Sequence, residues 1–472
     1  MRTNTKYQTS NIKEAPSSKH QSRRAVSVLF GAWSIVFISC LVFGVWCFSF
    51  SSTVFGAEPN SPTALPIDLP TVLRLAGAQN LDVKIAREKL AEAKANYGSA
   101  VANFFPWVSP GIGYRRHDGN LQDVAGTIID VHKQSYAPGA TLAAQLDLGD
   151  AIYKELAAKQ LVRAADHALE AQRQQSVAGA AAGYFDLLAA QAAVKVAAEA
   201  VNISSNYEAQ VGRAVETGLA FKGDQLRVRV QTERNQLTLR RAAEEQRVAA
   251  ARLAQTLRLN PAVVLSPQDS ELLPTTLLQT NLSWLVAEAL SARPELKQNI
   301  ALIASARETE KGAKYGPLVP SVGAQAFFGG LGGGRRDDLG SFDHQEDYTV
   351  GLSWRIGPGG IFDFDRQRAT AARRKIAELT SEQLRDEITR QVVEAATRAD
   401  STGDQLATAQ RAIAAAEESF RLAQQRKEFG VGIVLETVQA EQELTRARLD
   451  YLKAIAEFDK AQYALLRATG RL

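Results

Sequence analysis

The residues best able to do chemistry are few, and their spacing argues against most of what they could do. Five histidines, His20, His117, His132, His167 and His344, are scattered, and none has a second histidine four residues away to share a metal on one helix face. Both cysteines, Cys40 and Cys47, precede residue 57, so no thiol beyond it can form a disulfide, a thiolate zinc site or a nucleophile. The run Gly329-Gly330-Leu331-Gly332-Gly333-Gly334-Arg335-Arg336 has the glycine density of a phosphate cradle but lacks the Lys-Ser/Thr that completes one. No acid and base stand in a recognisable frame, so the sequence predicts no enzyme, no cofactor and no metal site.

Charge narrows the partners. Residues 1 to 57 carry six basic side chains against Glu14 alone, a net +5 that leaves −1 for the rest of a chain whose total is +4. A near-neutral body has no field for gripping phosphates, which argues against nucleic acid. The basic stretch ends at Arg23 and Arg24 and is followed by an uncharged, mostly apolar run to Ala57. That is the pattern of a secretory signal, with cleavage expected near Gly56 or Ala57, although the run is long enough to span a bilayer uncleaved. Lipidation at Cys40 is the weaker alternative, because apolar sequence continues through Leu41, Val42 and Phe43. In each case the basic flank stays in the cytoplasm and the body is exported.

Beyond residue 57 one design is written twice, at an offset of roughly 210 residues, giving a first repeat at 58–281 and a second at 282–472. Each opens with a helical stretch, Val72 to Asn103 and Leu282 to Tyr315, that ends at Pro106 or Pro317. The period then changes from about 3.6 to 2. Tyr348, Val350, Leu352, Trp354 and Ile356 alternate with small or polar residues, as do Ala140, Leu142, Ala144, Leu146 and Leu148; Val108 to Tyr114 and Val322 to Gly329 follow the pattern more weakly. These predict two hairpins of strands about ten residues long, the length that crosses an outer membrane when tilted. Arg115 to Ser135 and Gly329 to Glu346 are read as their polar outer loops. Four strands cannot close a barrel, and open edges in hydrocarbon cost several kcal/mol per unpaired group, so spanning requires several chains sharing one barrel.

Proline-free helical segments follow, from about Asp150 to Thr217 and Phe362 to Phe429, each about 100 Å long at 1.5 Å per residue. They break at Gly218 to Asp224 and Gly430 to Glu436, and shorter helices return, Gln225 to Leu259 and Thr437 to Thr469. The last carries Ala440, Leu444, Ala447, Tyr451, Ala454, Phe458, Ala461 and Leu465 at alternating spacings of four and three, a seam for a partner helix. The reading from pattern alone is a mainly helical rod with a small strand part. A secreted coiled-coil scaffold or adhesin without a pore is the alternative.

With these segments and the run Gly430-Val431-Gly432-Ile433-Val434-Leu435-Glu436-Thr437-Val438-Gln439-Ala440 in hand, the chain resembles the TolC-like outer-membrane efflux proteins over about residues 65 to 472. The resemblance implies a homotrimer in which long antiparallel helical hairpins form an α-barrel tunnel across the periplasm. Four strands per chain would contribute to a shared twelve-stranded barrel among outer-membrane lipid. It implies a passive exit duct of a tripartite efflux pump or type I secretion system, with energy supplied by an inner-membrane pump or exporter. A periplasmic adaptor would dock at the turns, on Gly218, Leu219, Lys222, Gly430, Gly432 and Ile433. The family's constriction maps onto Asp224, Glu436 and Gln439. Glu436 is expected to form a cation-attracting ring, against the plainer reading that it favours a helix N-terminus. Gly432 and Lys427 stand where the family has the arginine and tyrosine that hold it shut, leaving Arg426 and Lys427 as candidates for substitute bonds.

Overall fold

A computed structural model describes residues 65–260, 263–268, 272–275, 281–335, 340–429 and 432–472. The leader and the turn residues Gly430 and Val431 lie outside the described residues. In the first repeat, β1 (Leu65–Ile67) leads into α1 (Leu69–Gln79), α2 (Leu81–Ala102), β2 (Trp107–Gln122), β3 (Ile128–Asp147), α3 (Leu148–Glu216) and α4 (Lys222–Leu257). β4 (Leu265–Pro267) lies in the linker that ends the first repeat, and the second runs through α5 (Leu282–Ala292), α6 (Pro294–Tyr315), β5 (Ser321–Arg335), β6 (Ser341–Ser353), α7 (Phe364–Glu428) and α8 (Val434–Thr469). Matching helices have 11, 22, 69 and 36 residues in the first repeat and 11, 22, 65 and 36 in the second, so the duplication extends to every helix.

Each expected opening helix is two helices. Asn80 breaks the first with an extended ψ of 139° and caps α2 by accepting a 2.8 Å bond from the Asp82 amide. Arg293 breaks the second because Pro294 disfavours a helical residue before it and then starts α6. The short strands β1 and β4, which the sequence did not reveal, pair in parallel and join the start of the first repeat to the linker that leads into the second.

The long helix α3 packs on α4 and is flanked by α1, α2, α6 and α8. Its alanines Ala180, Ala181, Ala197 and Ala200 are buried and let neighbouring backbones approach. The principal core gathers Val72, Ala76, Tyr184, Leu187, Leu253, Leu257 and Ile455, and a second gathers Leu285, Ala289, Leu296, Ile388, Val392 and Leu465. The expected seam on α8 is broader than one stripe. Ala440, Leu444, Phe458, Ala461 and Leu465 are buried, but Ala447, Tyr451 and Ala454 are half-buried while Ile455 and Ala456 are buried in their stead. The cause is that α8 packs on α3 as well as on α7, and two partners cover a wider arc than one.

Helices pass into strands at a tight junction. Gly149, at the start of α3, lies so close to Gly316 that a Cβ on it would stand 2.1 Å from the Gly316 carbonyl oxygen. Beside it the carboxylate of Asp150 accepts 3.1 and 3.2 Å bonds from Arg366 of α7, tying the two repeats together where the sheet begins. A side chain at 149 must push the backbones apart, so Gly149→Ala is expected to destabilise the chain by about 1–3 kcal/mol, read as a lower midpoint in thermal unfolding, whereas Gly179→Ala, inside α3 where a Cβ meets nothing within 4 Å, raises the midpoint slightly, through about 0.5–1 kcal/mol of helix propensity.

Candidate functional site

The four long strands form one antiparallel sheet in the order β2, β3, β5, β6. Its register lines up apolar residues from all four strands on one face, which His344 and Glu346 interrupt on β6. Val108 stands opposite Leu142, Leu142 opposite Ala326 and Ala326 opposite Tyr348. The next rows run Ala144, Ala324, Val350 and then Leu146, Val322, Leu352. Towards the other end, Ile112 faces Pro138 and Tyr114 faces Tyr136. From Tyr136 to Leu146 the belt follows β3 for about 34 Å at 3.4 Å per residue, about 25 Å in height at a barrel strand's tilt, the thickness of an outer-membrane apolar band. Rings gather on this face, with Tyr136 stacked on Phe342 at 5.8 Å and Phe328 edge-on to Tyr348 at 5.6 Å.

Tyr348, Val350 and Leu352 lie in this belt and are exposed. Trp354 and Ile356 are exposed too but follow the end of β6, because Ser353 pairs with Ser321 and Pro320 before it has no amide to continue the ladder. The strands are also longer than predicted, with 16, 20, 15 and 13 residues. Most of Arg115 to Ser135 and of Gly329 to Glu346 is therefore paired strand, and the first hairpin turns only at residues 123–127. Alternation records which medium a side chain faces, whereas the ladder is made by backbone and continues into polar sequence.

At the far end of the helices, α3 closes in a left-handed glycine turn. Gly218 has φ 74°, its amide bonds Val215 and that of Leu219 bonds Ala214, satisfying the last carbonyls of the helix. Leu219, Phe221, Phe429 and Ile433 are exposed there, from 64% to 85%, so this end presents large apolar side chains to its surroundings. Lys222 is exposed and donates to Gln225 at 2.7 Å. Gly432 sits against the backbone of Lys427, where a Cβ would come within 2.7 Å of the Lys427 nitrogen. Phe221 and Phe429 were not singled out in the sequence, although each flanks a turn that was.

The acidic positions are differently engaged in the two repeats. Asp224 pairs with Arg227 of its own helix at 3.0 Å, while Glu436 is reached across the turn by Arg426 at 2.8 Å. Gln439 is exposed. Lys427 lies 3.7 Å from the ring centre of Tyr207 and donates to Gln210 at 3.0 Å, linking α7 to α3. Burial holds the Lys427 ammonium below the ordinary lysine range. The Arg426 to Glu436 pair, with side chains 58% and 34% exposed, is worth under about 1 kcal/mol. The cation and ring contact, with Tyr207 only 9% exposed, belongs to the about 0.5–2 kcal/mol class.

An exposed apolar belt one membrane thick on a sheet with two open edges, carried by helices far too long for a compact domain, defines an outer-membrane channel subunit. The chain belongs to the outer membrane efflux protein family, whose model matches residues 72–257 and 285–471, one match to each repeat. It is an outer-membrane exit duct. Solved structures share the fold. The outer-membrane channel OprN is 21% identical with a TM-score of 0.72, covering 85% of this chain and 89% of its own. The Campylobacter jejuni CmeC outer membrane channel is 16% identical, with a TM-score of 0.72 and 85% of each chain covered. The Neisseria gonorrhoeae MtrE outer membrane channel in its open state is 17% identical, with a TM-score of 0.69, 85% of this chain and 88% of the other. A comparison with curated proteins finds no match.

A double-mutant cycle of Arg426→Ala with Glu436→Ala is expected to give a coupling below about 1 kcal/mol that shrinks in high salt, and one of Lys427→Ala with Tyr207→Leu a larger coupling that salt leaves nearly unchanged. Chemical denaturation of the four variants of each cycle measures both.

Proposed function

We propose that three copies of this chain close one twelve-stranded barrel and conduct cargo outward as the passive last stage of a tripartite pump or type I secretion system. The single observation that carries this reading is the apolar belt, interrupted on β6 by His344 and Glu346, on a sheet whose edges at β2 and β6 are unpaired among the described residues. A secreted scaffold has no use for such a belt, and nothing favours that alternative. In hydrocarbon each open edge group costs several kcal/mol, and the strand that cancels the cost must come from another copy.

The helical turns then form the periplasmic end, where Leu219, Phe221, Phe429 and Ile433 offer an apolar surface to a periplasmic adaptor that links the duct to an inner-membrane pump. Asp224, Glu436 and Gln439 stand near the narrowing in this reading. Because Arg426 neutralises Glu436 within one chain, Glu436 acts first as half of a cross-turn clasp and carries a free charge only after that clasp opens. Lys427, held between Tyr207 and Gln210, is the stronger bond between the hairpins and takes the place of the family's tyrosine.

Reconstituted in planar bilayers, the purified chain is expected to give discrete conductance steps, and Lys427→Ala to raise the open fraction more than Arg426→Ala; a chain that never conducts contradicts the duct. Leu142→Arg, in one of the two middle rows of the belt, should cost about 2–4 kcal/mol and leave less protein in the outer membrane, measured by membrane fractionation, whereas Thr349→Arg on the opposite face leaves insertion intact.

A further inference from the structure

Two helical hairpins of one protomer, α3 with α4 and α7 with α8, meet near the turn end through a buried carboxylate. Glu441 of α8 is 5% exposed. It accepts from Gln231 at 3.2 Å and from Asn235 at 3.1 Å, both on α4, and from Thr445 of its own helix at 3.2 Å. The amides around it are held in one orientation. Asn235 also donates to the Ala200 carbonyl of α3 at 3.1 Å, Gln231 also donates to Asn235 at 3.0 Å, and Gln442 donates to the Gln231 carbonyl. Every donor around this carboxylate is neutral, and among the described residues no lysine, arginine or histidine forms an ion pair with it.

A charge so placed is costly, since neutral amides repay only part of its lost hydration. Burial accordingly pushes the Glu441 carboxyl above the ordinary 4.5, against the smaller pull of its three hydrogen bonds. Beside it lies a cavity of about 360 Å³ that gives water and protons a place to reach it. The ionisable groups sharing that cavity are Tyr207 from α3 and Lys427 and Glu428 from α7; α4 contributes Gln231. Lys427 is engaged with Tyr207 and Gln210, and no charge among these offsets that of Glu441.

We propose that Glu441 is a proton-binding site that couples the packing of the two hairpins to acidity: the packed pair takes up a proton there, and the splayed pair, which exposes the carboxylate to water, gives it back. The sign follows from linkage. The packed state binds the proton more tightly than the splayed one, so acid favours packing, and raising the pH from 4.5 through the elevated value of the packed state withdraws that advantage. This contact lies within one protomer, so it holds whatever the duct carries.

The test uses the full chain in detergent micelles. Infrared difference spectra over a pH titration are expected to show a protonated carboxylic acid band in the wild type that persists above the range of a free glutamate and whose Glu441 component is absent from Glu441→Gln. In parallel, spin labels at exposed positions 229 and 443, with Cys40 and Cys47 replaced by serine and labelled chain diluted in unlabelled chain, report the distance between α4 and α8. The distribution should broaden as the pH rises in the wild type and stay narrow in Glu441→Gln, whose neutral amide mimics the protonated acid. A Glu441 component of the band lost within the ordinary glutamate range, or an equal pH response in Glu441→Gln, overturns the proposal; should that variant fail to fold, Glu441→Asp supplies the difference spectrum, because Asp459, also buried, with its carboxyl pushed up by burial, keeps an acid band of its own in every variant.

Discussion

The whole molecule answers to one constraint, that a backbone amide or carbonyl in hydrocarbon has no water to fall back on. The sheet pairs β2 with β3, β3 with β5 and β5 with β6, and stops. Two edges therefore stay open inside a belt that belongs in lipid, and in the proposed trimer strands of other copies complete them. The long helices hang from this sheet, and the Gly149 and Gly316 contact with the Asp150 to Arg366 bond sets where they leave it.

Duplication supplies the scaffold but not identical chemistry at its two ends. Val72 and Leu285, or Ala76 and Ala289, fill equivalent buried positions. The helix ends Arg258 and Gly470 both adopt the left-handed conformation, although only one is glycine. At the breaks the repeats diverge: Asn80 caps its helix and donates to Thr256, while Arg293 is 2% exposed and reaches Gln391 at 2.7 Å. At the turns Asp224 stays on its own helix and Glu436 is bridged across. The second hairpin is thus the one bridged across its turn, by Arg426 and Glu436.

Much of this was legible in the sequence, because proline, glycine and hydrophobic period act locally. Pro106 and Pro317 end helices, Gly218 turns one, and the alternation from Tyr348 to Leu352 lies where the belt is. What stayed hidden depends on contacts distant in the chain or on backbone alone. The outer halves of β2 and β3 carry polar residues, so no alternation betrays them, yet the ladder runs on from Arg115 opposite Ser135 to Gln122 opposite Ile128. Tyr207 and Lys427 are 220 positions apart and meet only once α3 lies beside α7. Glu441 reads as a surface glutamate next to the Ala440 seam, and it is buried where α4 brings Gln231 and Asn235 against it.

Interchain closure is the claim on which the rest stands, and edge-to-edge crosslinking in intact outer membranes tests it most directly. Single cysteines along β2 from Trp107 to Tyr114 are combined in turn with single cysteines along β6 from Phe342 to Ser353, in a chain whose Cys40 and Cys47 are replaced by serine. Oxidation should join separate chains in a ladder that ends at three, with the strongest pairs following one antiparallel register. Links confined to single chains, or none at any register, would contradict the account.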